Sequence, residues 1–177
     1  YNLFKSKQLN AEVSLVKTAT KELFIQKMAK ARIVHIASHS EANTKIPGLA
    51  KVRFSGCGGR TQDVSGCLLA SEIYNLEMNA DLLVLSSCSS GVGKLTRGEG
   101  IFSLARSFLY AGAHNVVFSL WDVDDEYTKK LMIAFYKYFL SNPNSDGYQK
   151  ALQLARNQLA KQNIHPKHWA GIVLIGK

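Results

Sequence analysis

Two short runs constrain the fold of this chain most. Arg32-Ile33-Val34-His35-Ile36-Ala37-Ser38 and Asp81-Leu82-Leu83-Val84-Leu85-Ser86 are nearly continuous in apolar residues and bounded by polar ones. Strands without apolar–polar alternation fit a sheet covered on both faces, and such sheets are mainly parallel. The segments between them change to helical spacing. Leu23, Phe24 and Met28 follow the cap candidates Thr18 and Thr20 and predict a helix through Lys30. Ile101, Leu104, Ala105, Phe108 and Leu109 predict a helix over 99–110, and Gly112 suits its C-terminal end. Further helices are expected over 71–76, 124–140 and 148–162, and strands over 115–120 and 171–175. The Gly-, Asn- and Ser-rich stretch 39–66 is expected to hold a short hairpin, pairing Lys51-Val52-Arg53-Phe54 with Gly66-Cys67-Leu68-Leu69. Asn142 to Gly147 reads as a loop and not as a domain boundary. The alternation of strands and helices predicts an α/β fold with a mainly parallel sheet and helices on both faces.

At 177 residues the chain supports one domain with its own core. No apolar run reaches the roughly 20 residues that cross a bilayer, so no membrane association is expected. The first residues, Tyr1-Asn2-Leu3-Phe4-Lys5-Ser6-Lys7, lack the apolar core of a signal peptide and an initiator Met. The chain is therefore expected to be part of a longer protein or a processed product, in the cytoplasm. The net charge of +9 is carried by scattered Lys and Arg, without a dense basic stretch interleaved with aromatics, so direct nucleic-acid binding is not expected. Cys57, Cys67 and Cys88 are an odd number without metal-ligand spacing, which points to a reducing compartment and one special thiol. Cys57, in Gly56-Cys57-Gly58-Gly59, reads as an exposed residue of a flexible loop.

Chemistry concentrates where the two apolar runs end. One runs out in Ser38-His39-Ser40 and the other in Ser87-Cys88-Ser89-Ser90-Gly91. In open α/β sheets, sites form at the carboxyl ends of strands. Two neighbouring parallel strands would bring an imidazole and a thiol to one edge, the pairing of a cysteine nucleophile with its base. The separation of 49 positions matches a cue of His-then-Cys peptidases, although the local signature around the Cys differs from theirs. The small residues after each end permit sharp turns that present backbone N–H groups to an oxyanion.

Several motifs in order carry a family resemblance: His35-Ile36-Ala37-Ser38-His39, Leu83-Val84-Leu85-Ser86-Ser87-Cys88, Gly98-Glu99-Gly100, Ala105 to Ala113, Val116-Val117-Phe118-Ser119-Leu120-Trp121-Asp122-Val123-Asp124-Asp125, and His165-Pro166-Lys167-His168-Trp169-Ala170-Gly171. Over roughly residues 18–177 the chain resembles a CHAT domain, a caspase-like cysteine peptidase family related to separases. The resemblance implies Cys88 as nucleophile, His39 as its partner, and an oxyanion hole from the backbone N–H groups of Cys88 and Ser40. It also implies that the segment beyond the third strand lines the pocket for the residue before the cut, with Trp121 as a wall and Asp122, Asp124 and Asp125 attracting Lys or Arg. Against this, Asp124 and Asp125 also suit a helix N-terminus, and Trp121 also suits plain packing. Two features depart from the family. Ser40 stands where Gly usually follows the catalytic His, which matters if the backbone there needs positive φ. Upstream sequence that the family usually carries, another strand and often helical repeats, is not seen.

Other candidates are weaker. His35 lies four before His39, on the same strand face, and reads as a buried or supporting histidine. His165 and His168 read as turn and packing residues. The serines around Cys88 lack a G-x-S-x-G frame. Gly91-Val92-Gly93-Lys94-Leu95 lacks both the first Gly and the Ser/Thr of a phosphate loop. The expectation is a cysteine endopeptidase acting on a protein substrate without metal or cofactor, regulated by a partner protein or an upstream repeat segment. The alternative is a catalytically silent interaction module.

Overall fold

The computed structural model describes residues 1–43, 45–58, 64–86, 99–142 and 147–176. Contacts divide the chain into two compact units: residues 16–122 with 172–177, and residues 1–15 with 123–171.

The first unit holds a four-stranded sheet in the order β1 (Ile33–Ile36), β5 (Leu82–Leu85), β6 (Asn115–Ser119), β7 (Ile172–Gly176). β1, β5 and β6 run parallel, and β7 closes the edge antiparallel to β6. The fold is thus mixed α/β with a mostly parallel sheet, as the apolar runs predict. β5 is buried along its whole length, which is why its sequence does not alternate. Val34, Ile36, Leu83, Leu85, Val116 and Phe118 face one core. It is completed by α2 (Lys21–Met28), α3 (Ala70–Ile73) and α4 (Glu99–Tyr110), through Met28, Ile73, Leu104, Ala105 and Phe108. Leu82, Val84 and Val117, one register step away, are also buried.

Local signals explain the helix ends. Thr20 caps α2 by accepting from the Leu23 N–H at 3.2 Å. α4 ends with Gly112 at φ +114°, the Ala113 N–H donating to the Phe108 carbonyl and the Gly112 N–H to that of Leu109, a Schellman arrangement. At the amino ends of the strands, Asp81 accepts from Arg32 Nε at 2.6 Å, and the Asn115 side-chain amide donates to the Asp81 carbonyl at 3.0 Å. These contacts fasten the starts of β1, β5 and β6 together.

A second sheet in the same unit is formed by β2 (Ser40–Glu41), β3 (Lys51–Arg53) and β4 (Cys67–Leu69), all antiparallel. The β3–β4 pair is the expected hairpin; the short β2 had no pattern long enough to reveal it. Cys57 and Cys67 form a disulfide, with Cα atoms 4.8 Å apart. This corrects the expectation of an exposed, loop-borne Cys57: it is half-buried and cross-linked to the buried Cys67. Three cysteines without metal spacing therefore include one disulfide, and such a bridge speaks against the expected reducing compartment, where disulfides are rare.

The second unit is helical. α1 (Asn2–Ser6), α5 (Asp125–Ser141) and α6 (Gly147–Lys161) belong to it. α5 packs on α6 around Leu131, Phe135, Ala151, Leu152, Ala155 and Leu159, and Phe4 meets Tyr136 edge-on. The expected loop at 142–147 falls mostly outside the described residues. No helix among the described residues is long and apolar enough to cross a membrane.

Candidate functional site

The site is built on the register of β1 and β5. They pair in parallel with Ile36 opposite Leu85. His39 comes three residues after Ile36, and Cys88 three residues after Leu85. Cys88 itself lies outside the described residues, as does the 91–95 glycine segment.

β1 ends at Ile36, and β2 begins at Ser40 in the other sheet. His39 therefore sits in the link between the two sheets. Its backbone is pinned there: the Arg53 N–H donates to the His39 carbonyl at 2.9 Å, and the Ser38 hydroxyl donates to the Arg53 carbonyl. Its side chain is exposed. The backbone is fixed while the imidazole reaches solvent, as a group that must meet a substrate requires.

Ser40 is buried and pairs with Val52. The Arg53-to-His39 bond makes this a non-hydrogen-bonded pair, so the Ser40 N–H turns away from β3. Ser40 lies in strand conformation and is not among the residues at positive φ. A serine in place of glycine carries no backbone cost here.

Arg53 is the residue that the sequence did not single out. Besides its backbone bond to His39, its guanidinium donates to the Cys57 carbonyl at 3.0 Å and pairs with Glu41 at 3.5 Å, where Lys51 joins at 3.0 Å. One side chain thus connects the disulfide hairpin to the strand that follows His39. Opposite charges at Glu41 and at Lys51 and Arg53, the alternating ends of one strand, were the signal in the sequence.

His35 and Ser86 also meet. The His35 Nε2 and Ser86 Oγ are 2.6 Å apart, just beyond the last paired residues of β5. The His35 residue keeps an exposed surface, yet protein atoms crowd its ring, and that desolvation pushes its pKa down to about 4. The neutral imidazole is the form present at pH 7. The crowded ring and its bond to Ser86 agree with the expectation of a buried or supporting histidine, although the residue keeps an exposed surface.

Beyond β6, the Trp121 carbonyl accepts from the Ser119 hydroxyl and its ring is half-buried, while Asp122 is exposed. Asp124 caps α5, its Oδ1 accepting from the N–H groups of Glu126 at 2.9 Å and Tyr127 at 3.4 Å. Asp125 is the first residue of that helix. Asp124 and Asp125 belong to the helical unit, and Trp121 and Asp122 to the sheet unit. In the helical unit, His168 stacks on Tyr127 with ring centroids 4.2 Å apart, and His165 Nδ1 accepts from the Lys167 N–H at 3.2 Å. Both are structural placements. No group of three or more His, Cys, Asp or Glu that could hold a metal occurs among the described residues.

The model of the CHAT domain matches residues 2–177, nearly the whole chain. The chain belongs to the CHAT domain family. Among curated proteins this CHAT domain is similar to tetratricopeptide repeat protein 28 of Homo sapiens, with 29% identity across 97% of the chain, and to that of Mus musculus, with 28% identity across 89%. In both, the chain spans about 8% of the relative's length.

Proposed function

We propose that this CHAT domain is a cysteine endopeptidase with Cys88 as nucleophile and His39 as its proton-transfer partner. One observation carries the reading: β1 and β5 are adjacent parallel strands in a register that leaves His39 and Cys88 equally far, three residues each, beyond one paired step. Parallel neighbours lie about 4.8 Å apart, so the two exits leave the sheet side by side.

The chemistry follows acyl transfer. The Cys88 thiolate attacks the scissile carbonyl and forms a tetrahedral oxyanion, which the backbone N–H groups of Cys88 and Ser40 stabilise. Collapse of the intermediate breaks the C–N bond and expels the amine, which takes the proton His39 received from the Cys88 thiol, and water then hydrolyses the thioester, releasing the acid and regenerating the thiol. The orientation of the Ser40 N–H away from β3 supports its part in this. The substrate lies extended near Trp121, adding a strand. Asp122 is the acid best placed to receive a Lys or Arg before the cut, because the Asp124 carboxylate is occupied by helix N–H groups. No cofactor is required by these steps. A regulatory protein or repeat segment is a further proposal; the relatives are named for tetratricopeptide repeats.

The test is intact-mass labelling with a Lys-directed peptidyl acyloxymethyl ketone. A single adduct in the wild type that is absent in Cys88→Ala is expected. A wild-type chain that reacts no faster than Cys88→Ala, with this probe and with a mixed-sequence one, overturns the reading in favour of a silent interaction module.

A further inference from the structure

We propose that His35 and Ser86 form a positioning pair, which fixes the exit of β5 and thereby sets the approach of the nucleophile that follows it; the inference rests on the reading of Cys88 as nucleophile. Ser86 is held at two points. Its backbone N–H donates to the Ile36 carbonyl at 3.1 Å, which extends the parallel ladder one step past β5. Its hydroxyl lies 2.6 Å from His35 Nε2 on the neighbouring strand. Both anchors come from β1, the strand that leads to His39.

The pair occupies a meaningful place. Along β1, Val34 and Ile36 point into the core, so His35 belongs to the opposite face. Along β5, Leu83 and Leu85 point into that core, so Ser86 continues the face of Leu82 and Val84. An apolar residue at either position would continue the strand equally well. A polar pair is needed only if this end of the sheet must be fixed more tightly than a backbone ladder fixes it. One residue, Ser87, separates Ser86 from Cys88. So short a connection has few soft torsions, and fixing Ser86 narrows where the chain can deliver the thiol. At the other end of the same strands, Asp81 fastens the starts of β1 and β5 through Arg32. The two strands are thus clamped by side chains at both ends, and the clamp at the carboxyl end is the one beside the proposed chemistry. His35 does not touch the reacting atoms in this scheme; it acts through Ser86.

The pair makes a prediction that a merely structural role would not. Labelling of Cys88 by the acyloxymethyl ketone, which forms a thioether and releases the carboxylate, is measured as a maximal rate and a half-saturating concentration. His35→Ala and Ser86→Ala are each expected to lower the maximal rate by about 10-fold or more, with the half-saturating concentration nearly unchanged, because misplacement of a reacting group acts on the chemical step. The double variant is expected to lose no more than either single one, as for two partners of one interaction. His35→Gln, whose amide can still bond the hydroxyl, is expected to recover most of the rate. Melting temperatures of all variants are followed in parallel, and a variant that fails to fold is replaced by Ser86→Thr, which keeps the hydroxyl and is expected to stay near wild type. Multiplying losses in the double variant, or unchanged rates in both single ones, overturn the pairing. A loss that Gln does not recover overturns it too, since His35 would then carry a proton. A wild-type chain unlabelled at Cys88 overturns the nucleophile itself and this inference with it.

Discussion

Opening the Cys57–Cys67 disulfide is the perturbation whose size the structure fixes best. The bridge joins residues 10 apart in sequence and ties the β3–β4 hairpin shut. In the chain-entropy picture, releasing a loop of that length returns about 2.7 kcal/mol of freedom to the unfolded chain. For a chain of this size, each kcal/mol moves the melting point about 2–4 °C, so reduction should lower it by about 5–10 °C. Trp121 lies in the same unit as the hairpin and Trp169 in the other. Trp121 fluorescence in a Trp169→Phe background therefore reports the unit that should respond. The oxidised chain, the chain in dithiothreitol and Cys57→Ser/Cys67→Ser are melted side by side, with intact mass confirming loss or gain of the two thiol hydrogens. The reduced chain and the double variant should melt together, below the oxidised chain. Equal melting of the oxidised and reduced chains, at masses that prove the redox change, would refute the reasoning and leave the bridge without a role in holding β3 and β4.

Two further outcomes test the core and the charge network. Phe108 is fully buried in α4 and meets Phe24 edge-on, with centroids 6.4 Å apart; Phe108→Ala should cost about 3–5 kcal/mol in denaturant unfolding, the range for a large core truncation. Glu72 is desolvated at its position, which works against its charge, but the Leu69 N–H at 2.9 Å and the Lys21 ammonium at 2.6 Å outweigh that and hold its pKa below 4.5. A lowered carboxyl contributes stability that is present above 4.5 and lost as pH falls through the lower folded value. The stability gap between wild type and Glu72→Gln, followed by thermal melting against pH, should therefore close as pH drops below 4.5.

The strands and helices that could be read in advance are those whose pattern is repeated locally. β5 has four apolar residues in succession, and α4 carries five at helical spacing before a glycine that can adopt positive φ. Their existence and type, and the boundaries of α4, follow from the sequence. β2 does not: two residues, Ser40 and Glu41, carry no period, and their place is set by pairing with Lys51 and Val52. The disulfide was likewise illegible, because an odd number of cysteines does not specify partners, and only the hairpin brings Cys57 to Cys67. Alternation alone does not say how deep a face lies, so the sequence could put His35 on a strand face but not show its bond to Ser86. The positions of His39 and Cys88 after paired strands were legible from the runs themselves; of the contacts of Arg53 only the charge pairing with Glu41 left a signal, since its bonds to His39 and Cys57 depend on the hairpin closing.

What makes the site stiff is the way its histidine is held. His39 lies between two sheets, and each sheet fixes one side of it. The parallel sheet fixes Ile36, three residues before, through the β1–β5 ladder. The antiparallel sheet fixes Ser40, one residue after, through Val52, and Arg53 bonds the His39 carbonyl itself. A three-residue link with both ends tied has little freedom of its own, so the imidazole can swing at its side-chain torsions while its backbone does not drift. On the neighbouring strand the exit is tied by the Ser86 N–H and its hydroxyl bond to His35. The two exits from one sheet are therefore each anchored to β1 or to its extension, and their spacing is set by one ladder and not by two independent loops. Pre-set spacing of this kind is what the proposed acyl transfer would demand, because a nucleophile and its proton partner must meet the same peptide bond within a few tenths of an ångström. It also explains why the chain tolerates a serine after His39: the strand that begins there is extended, a conformation any residue adopts, so the position does not need the positive φ that favours glycine.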